Sequence, residues 1–172
     1  MTIAPTAAVG TAHPIRRRFG RRKFDKQPAQ PAAVLIAANG VTIPGAALRL
    51  GLRLSAGRPV AVVSIARLYG SSLGLQNPGL MPSRKEMAEQ RDIVQRAVAA
   101  LEKGGVESWG QIAVSRKPAK TIAAAAQARS VEHVIVVRPD QAVRWRQVVE
   151  GDLVKEVARK VGSAVEVEGV SP

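Results

Sequence analysis

Val34-Leu35-Ile36-Ala37-Ala38-Asn39-Gly40 decides how this chain is read. A short, unbroken apolar run closed by Asn-Gly reads as a strand buried on both faces and ending in a tight turn. Just downstream, Pro44 suits the first position of a helix, where a missing N–H costs nothing. Ala47, Leu48, Gly51, Leu52 and Ser55 then recur at helical spacing, and Gly57-Arg58-Pro59 breaks the helix. Val60 to Ala66 is a second buried strand.

Further out, Tyr69 to Pro82 is a long loop rich in Gly, Ser, Asn and Pro, a length that is often functional. Ser83-Arg84-Lys85-Glu86 is a capping box that opens a long helix. Met87, Gln90, Val94, Ala97, Val98 and Leu101 trace its inward face, and Gly104-Gly105 ends it. Gln111 to Ser115 reads as a third strand, with Trp109 packed at the helix–strand junction before it. Pro118 starts a helix with Ile122, Ala123 and Ala126 inward, and Val134 to Val137 is a fourth strand of β-branched residues. Asp152 can cap a helix carrying Leu153, Val154, Val157, Ala158 and Val161 on one face. Ser163 to Val167 is the last strand, and the alternation Val165-Glu166-Val167-Glu168 gives it one wet face. The strict alternation of strand and helix predicts a doubly wound α/β domain over residues 33–172, with a five-stranded, mainly parallel sheet and helices on both faces. Ligands of such sheets sit beyond the carboxyl ends of the strands, here after Ala38 and after Val137.

Upstream of the quoted stretch the character changes. Residues 1–32 hold Pro5, Pro14, Pro28 and Pro31 and no apolar periodicity, and read as a disordered arm. Arg16, Arg17, Arg18, Arg21, Arg22, Lys23 and Lys26 concentrate there, opposed only by Asp25. With a formal net charge of +13, the chain is expected to be drawn to polyanions, either RNA or an anionic surface. The arm lacks interleaved aromatics apart from Phe19 and Phe24, which argues against sequence-specific readout. Arg21-Arg22-Lys23-Phe24-Asp25-Lys26 is similar to a twin-arginine export signal, but Asp25 stands where an apolar residue is usual, and Asn39-Gly40, Pro44, Arg49 and Arg53 interrupt the apolar segment such a signal needs. No apolar run is long enough for a transmembrane helix, and the expected location is cytoplasmic.

The chain has no Cys and only two His, His13 and His133, so thiolate and multi-histidine metal sites are excluded. No paired carboxylates or nucleophile–base constellation appears, and Ser71, Ser72 and Ser115 have no identifiable base. An enzyme is therefore not expected.

At this point the chain resembles the universal stress protein family, from about Val34 to Val167. Four pieces carry the likeness in their order and spacing: Val34 to Gly40; the long loop and long helix ending in Gly104-Gly105-Val106; Lys117-Pro118-Ala119-Lys120-Thr121-Ile122; and Val134 to Val137 with the loop and helix after it. The resemblance implies the strand order 3-2-1-4-5 and, commonly, a homodimer through the last strand. Glu166 and Glu168 leave that pairing open, because charges on an edge strand also block self-pairing.

The nucleotide-binding branch of the family carries Gly-x-x-Gly, nine residues, then Gly and a hydroxyl residue after the fourth strand. Here the matching frame places Arg138, Gln141, Gly151 and Asp152 at those positions and keeps the nine-residue spacing from Ala142 to Glu150. Asn39 stands where the family has an Asp near the nucleotide. Arg138 and Gln141 add side chains where phosphates would lie against backbone, and Asp152 sets a carboxylate at a helix start that would otherwise bind an anion. ATP and AMP are thus disfavoured, and no cofactor is expected.

The loop's Arg144-Trp145-Arg146 is a combination enriched at interaction surfaces. His133, at a strand boundary, reads as a polar boundary residue. The function expected is a non-catalytic interaction or regulatory domain that works through protein–protein contacts, as a homodimer or as a subunit of a larger assembly, with the arm as a tether. Two competing readings are an ATP/AMP-binding stress sensor and a nucleic-acid- or ribosome-associated stress factor.

Overall fold

The computed structural model describes residues 30–67, 82–138 and 152–171. Five strands, β1 (Val34–Ala38), β2 (Val60–Arg67), β3 (Ser108–Ser115), β4 (His133–Val137) and β5 (Glu166–Val170), form one sheet in the order β3-β2-β1-β4-β5. All four pairings are parallel. Helices α1 (Gly45–Ser55) and α2 (Arg84–Lys103) cover one face, and α3 (Pro118–Arg129) and α4 (Leu153–Val161) cover the other. The doubly wound α/β fold and its strand order agree with the sequence reading.

The apolar runs are explained by this sandwich. Val34, Ile36 and Ala38 of β1 face α1 and α2 together with Val60, Val62, Ile135 and Val137. Leu35 and Ala37 face α3 and α4 with Ala61, Val63, Val134, Val136, Ile122 and Val157. A central parallel strand has no wet face, so alternation is lost and β-branched side chains fill both sides.

β2 and β4 are each one residue longer than read, reaching Arg67 and starting at His133, and three further boundaries differ from the sequence reading. Pro44 is the residue before α1 rather than its first, with extended backbone at ψ 152. β3 begins at Ser108, three residues earlier than expected, so Trp109 lies within the strand rather than at a junction. Its register is set across its whole length by β2, Val60 opposite Ser108 and Arg67 opposite Ser115. β5 runs Glu166–Val170 rather than Ser163–Val167, because its ladder starts where the Glu166 N–H donates to the Glu132 carbonyl at 2.9 Å. Val165 still packs on the α3–α4 core, although it precedes the ladder.

The capping box is formed as read. Ser83 Oγ accepts from the Glu86 N–H at 3.1 Å, and the Ser83 N–H donates to Glu86 Oε2 at 2.6 Å. These hydrogen bonds hold the Glu86 carboxyl below the ordinary range.

The amino end of the sheet is closed by fixed contacts. The Ala33 N–H donates to the Pro59 carbonyl at 2.9 Å, and the Ala33 carbonyl accepts from Glu132 and His133. Arg58 grips Glu132 with two bonds of 2.5 and 2.7 Å, which draws the Glu132 carboxyl below its usual value. Both side chains are about half exposed, so solvent and salt screen the pair.

Candidate functional site

The carboxyl end of the sheet is where the sequence placed a site, and the structure brings part of it together there. Ala38 pairs with Val137, so the residues that follow, Asn39 and Arg138, leave the sheet side by side from β1 and β4. Gly40 turns the chain out of β1 with φ at +70°, a conformation that side chains with a Cβ adopt rarely.

Arg138 is exposed, and its N–H donates to the Val170 carbonyl at 2.8 Å. Its side chain points to the α4 face and lies across Gly169 of β5, where a Cβ would sit 2.5 Å from Nε and 2.9 Å from Cζ. No carboxylate among the described residues pairs with this guanidinium. Asp152 caps α4: Oδ1 accepts from the Val154 N–H at 3.0 Å and from the Lys155 N–H at 3.5 Å. Two of the free donors at the start of α4 are therefore taken by the chain's own carboxylate.

Gln141, Arg144, Trp145, Arg146 and Gly151 lie outside the described residues, as do Arg16, Arg17, Arg18, Arg21, Arg22 and Lys23 of the arm and Ser71 and Ser72. Among the described residues no group of acidic, His or Cys side chains could hold a metal ion, and no helix is long and apolar enough to cross a membrane. A shallow depression of about 140 Å³ lies between the start of α1 and the middle of α2, lined by Thr42, Ile43, Leu48, Ile93, Arg96 and Ala97. It opens on the sheet face opposite α4 and so does not join Arg138 to Asp152.

Three polar features escaped the sequence reading. Ser64 of β2 is fully buried and its hydroxyl bonds the Gln90 side chain of α2. Gln90 was legible as inward-facing; its partner was not. Arg129, in the last turn of α3, is only 8% exposed. It donates to Gln111 Oε1 at 2.7 Å and to the Ala125 carbonyl at 3.1 Å, while its Nε meets no acceptor among the described residues. Burial lowers the pKa of this guanidinium. Trp109 likewise holds a buried indole N–H with no partner among the described residues. His133 Nδ1 comes within 3.2 Å of Glu166 Oε2, an ion-pair approach that is not aligned as a hydrogen bond. It ties β4 to β5 at their amino ends, as befits a boundary residue.

No protein-family model and no curated protein matches this chain. Solved structures do. A universal stress protein from Archaeoglobus fulgidus in complex with dAMP is 18% identical, with 83% of this chain and 98% of that chain covered and a TM-score of 0.52. A member of the universal stress protein family from Burkholderia pseudomallei is 14% identical over 80% of this chain and 95% of that one, with a TM-score of 0.52. A universal stress protein in complex with cAMP is 12% identical over 82% and 98% of the two chains, with a TM-score of 0.50. The fold of this chain is therefore the universal stress protein fold, an α/β sandwich, and two of the structures it is similar to are complexes with dAMP and with cAMP.

Proposed function

We propose that this chain is a non-catalytic interaction and regulatory domain of the universal stress protein type, working through protein contacts, with residues 16–26 as a basic tether. One observation carries the reading: Asp152 occupies the start of α4 and accepts from the Val154 and Lys155 N–H groups that a phosphate would otherwise use. A carboxylate there repels a polyphosphate. Arg138 supports the same conclusion from the strand side. Where a phosphate cradle needs bare backbone, it places a long side chain, and it directs the charge along Gly169 toward β5. What remains is an exposed cationic surface beside a capped helix, which suits a partner's polar face better than a buried nucleotide.

Titration calorimetry with ATP and with AMP tests this. No heat at millimolar ligand is expected, and saturable binding in the micromolar range would overturn the reading in favour of a nucleotide sensor. That second reading rests on a specific observation, the dAMP and cAMP held by proteins of this fold. It predicts that Asp152→Ser, which restores a hydroxyl and removes the repelling charge, would tighten binding. Under the interaction reading, Asp152→Ser leaves the chain unable to bind either nucleotide and only weakens the cap.

A further inference from the structure

We propose that the β3 edge is a self-association surface, on which a second copy of this chain adds antiparallel about a two-fold axis perpendicular to the sheet. The idea goes beyond the function proposed above, which concerns the carboxyl end of the sheet and the arm.

β3 is the outermost strand on its side and is 8 residues long, Ser108-Trp109-Gly110-Gln111-Ile112-Ala113-Val114-Ser115. Edge strands that must stay single are blunted by charges, proline or short length. This one carries no charge and no proline, and Val114 on it is 39% exposed, the exposed large hydrophobic side chain of the described residues. The opposite edge is built differently. β5 is 5 residues long and carries Glu166 and Glu168. An antiparallel β5 pair centred on Val167 sets Glu166 against Glu168, and one centred on Glu168 sets that residue against its own copy. Like charges directly opposite each other destabilise a strand pair.

The helices above β3 show why the occupant is a second copy. α2 lies over β2 and β3, with Val94, Ala97 and Leu101 buried and Val98 leaning over Gly110, where a Cβ would be 3.2 Å from Val98 Cγ2. By helical spacing, Arg91, Gln95, Val98 and Glu102 form the stripe on that outer side. A two-fold perpendicular to the sheet keeps each face on its own side and reverses the helix. It therefore brings Arg91 of one copy toward Glu102 of the other, and Gln95 toward Val98. Neither Arg91 nor Glu102 is in an ion pair among the described residues. The spacing also fits. With strands about 4.8 Å apart, a helix seated over the β2–β3 pair lies about 5 Å inside such a dyad. The two α2 axes then sit about 10 Å apart, the separation of packed helices. A neutral strand flanked by a charge pattern that complements itself on reversal is a surface for its own copy.

Sedimentation velocity on the full chain, from low micromolar to high concentration at physiological ionic strength, decides the matter. A reversible dimer is expected. Arg91→Glu is expected to weaken it at least about tenfold, and Arg91→Glu with Glu102→Arg to restore it, a rescue that general misfolding cannot produce. Circular dichroism melts confirm that each variant is folded. A strictly monomeric parent chain overturns the proposal, and so does a dimer unaffected by Arg91→Glu.

Discussion

The two outermost strands hold equivalent positions in the sheet and are attached in different ways. β3 is woven into both layers. Ile112 is buried, Gly110 is pressed by Val94, Ser108 Oγ donates to the Val98 carbonyl at 3.2 Å, and Gln111 receives the Arg129 guanidinium. No residue of β5 is fully buried, and the strand touches the two layers only through half-buried side chains, Val167 on the α3–α4 core and Val170 on the α1–α2 core, beside its ladder to β4 and polar contacts at its two ends. The difference shows that packing and chemical protection are separate properties of an edge. β3 is firmly packed yet leaves a neutral row of backbone groups open, whereas β5 is lightly packed and guarded by Glu166 and Glu168.

Truncation should separate the two edges most widely. Ile112→Ala removes a side chain that is 7% exposed, and is expected to cost about 2–5 kcal/mol of folding stability. Val167→Ala acts on a half-buried side chain of β5 and is expected to cost no more than ~1.5 kcal/mol. Urea unfolding with an unchanged slope measures both. Equal losses would mean that β5 is as integral to the fold as β3.

A smaller and cleaner contrast uses one substitution at the single glycine in each edge strand. In Gly110→Ala the new methyl runs into the buried, branched side chain of Val94, so α2 must shift, at an expected cost of about 1–3 kcal/mol. In Gly169→Ala the methyl meets the guanidinium of Arg138, the far end of a flexible and exposed side chain. That substitution is expected to change stability by only about 0.5 kcal/mol in either direction. Thermal melts of the pair suffice. A large loss for Gly169→Ala would mean that Arg138 is fixed over β5, which would make it part of the fold rather than a free cation at the site.

The edges are also where the sequence was hardest to read. β1, β2 and β4 were legible because burial on both faces leaves an apolar, β-branched run, and α2 because Ser83 and Glu86 are local to each other. The start of β3 was not, since Ser108-Trp109-Gly110 is half-exposed and carries neither an apolar run nor an alternation. β5 was read too early because Val165 has the packing of a strand residue without its hydrogen bonds. At the site, Asn39, Arg138 and Asp152 could be placed by counting from strand ends. Arg129 could not: an Arg in the last turn of a helix reads as a partner of the helix dipole, and its burial against Gln111 arises only when β3 and α3 are packed together.

Trp109 tests the packing of β3 from its other face. Its indole N–H is buried without an acceptor among the described residues. A donor in that state contributes nothing to offset its desolvation. Trp109→Phe therefore trades a little lost area against a removed penalty, and its unfolding free energy, from urea titration, is expected to lie within about 1 kcal/mol of that of the parent chain. A loss above ~2 kcal/mol would mean that the N–H has a partner.

The smallest effect belongs to Glu132, which joins the amino ends of both halves of the sheet. Its carbonyl accepts the Glu166 N–H that starts β5, and its carboxylate receives Arg58 from the turn before β2. The Arg58 hydrogen bonds hold the Glu132 carboxyl below its ordinary value. A carboxyl with a depressed folded-state pKa binds its proton more readily in the unfolded chain. Its contribution is therefore complete above the unfolded value of about 4.3 and is lost as pH falls through the lower folded value. Glu132→Gln keeps the backbone bond to β5 and removes the titration. Its stability curve is expected to run parallel to that of the parent chain near neutrality and to fall less steeply below about pH 4.3. Both groups are exposed, so added salt should shrink the difference. If the two curves coincide at low salt, the Arg58–Glu132 pair adds nothing to the closure of the amino end, and β5 is held there by the Glu166 hydrogen bond and by His133 alone.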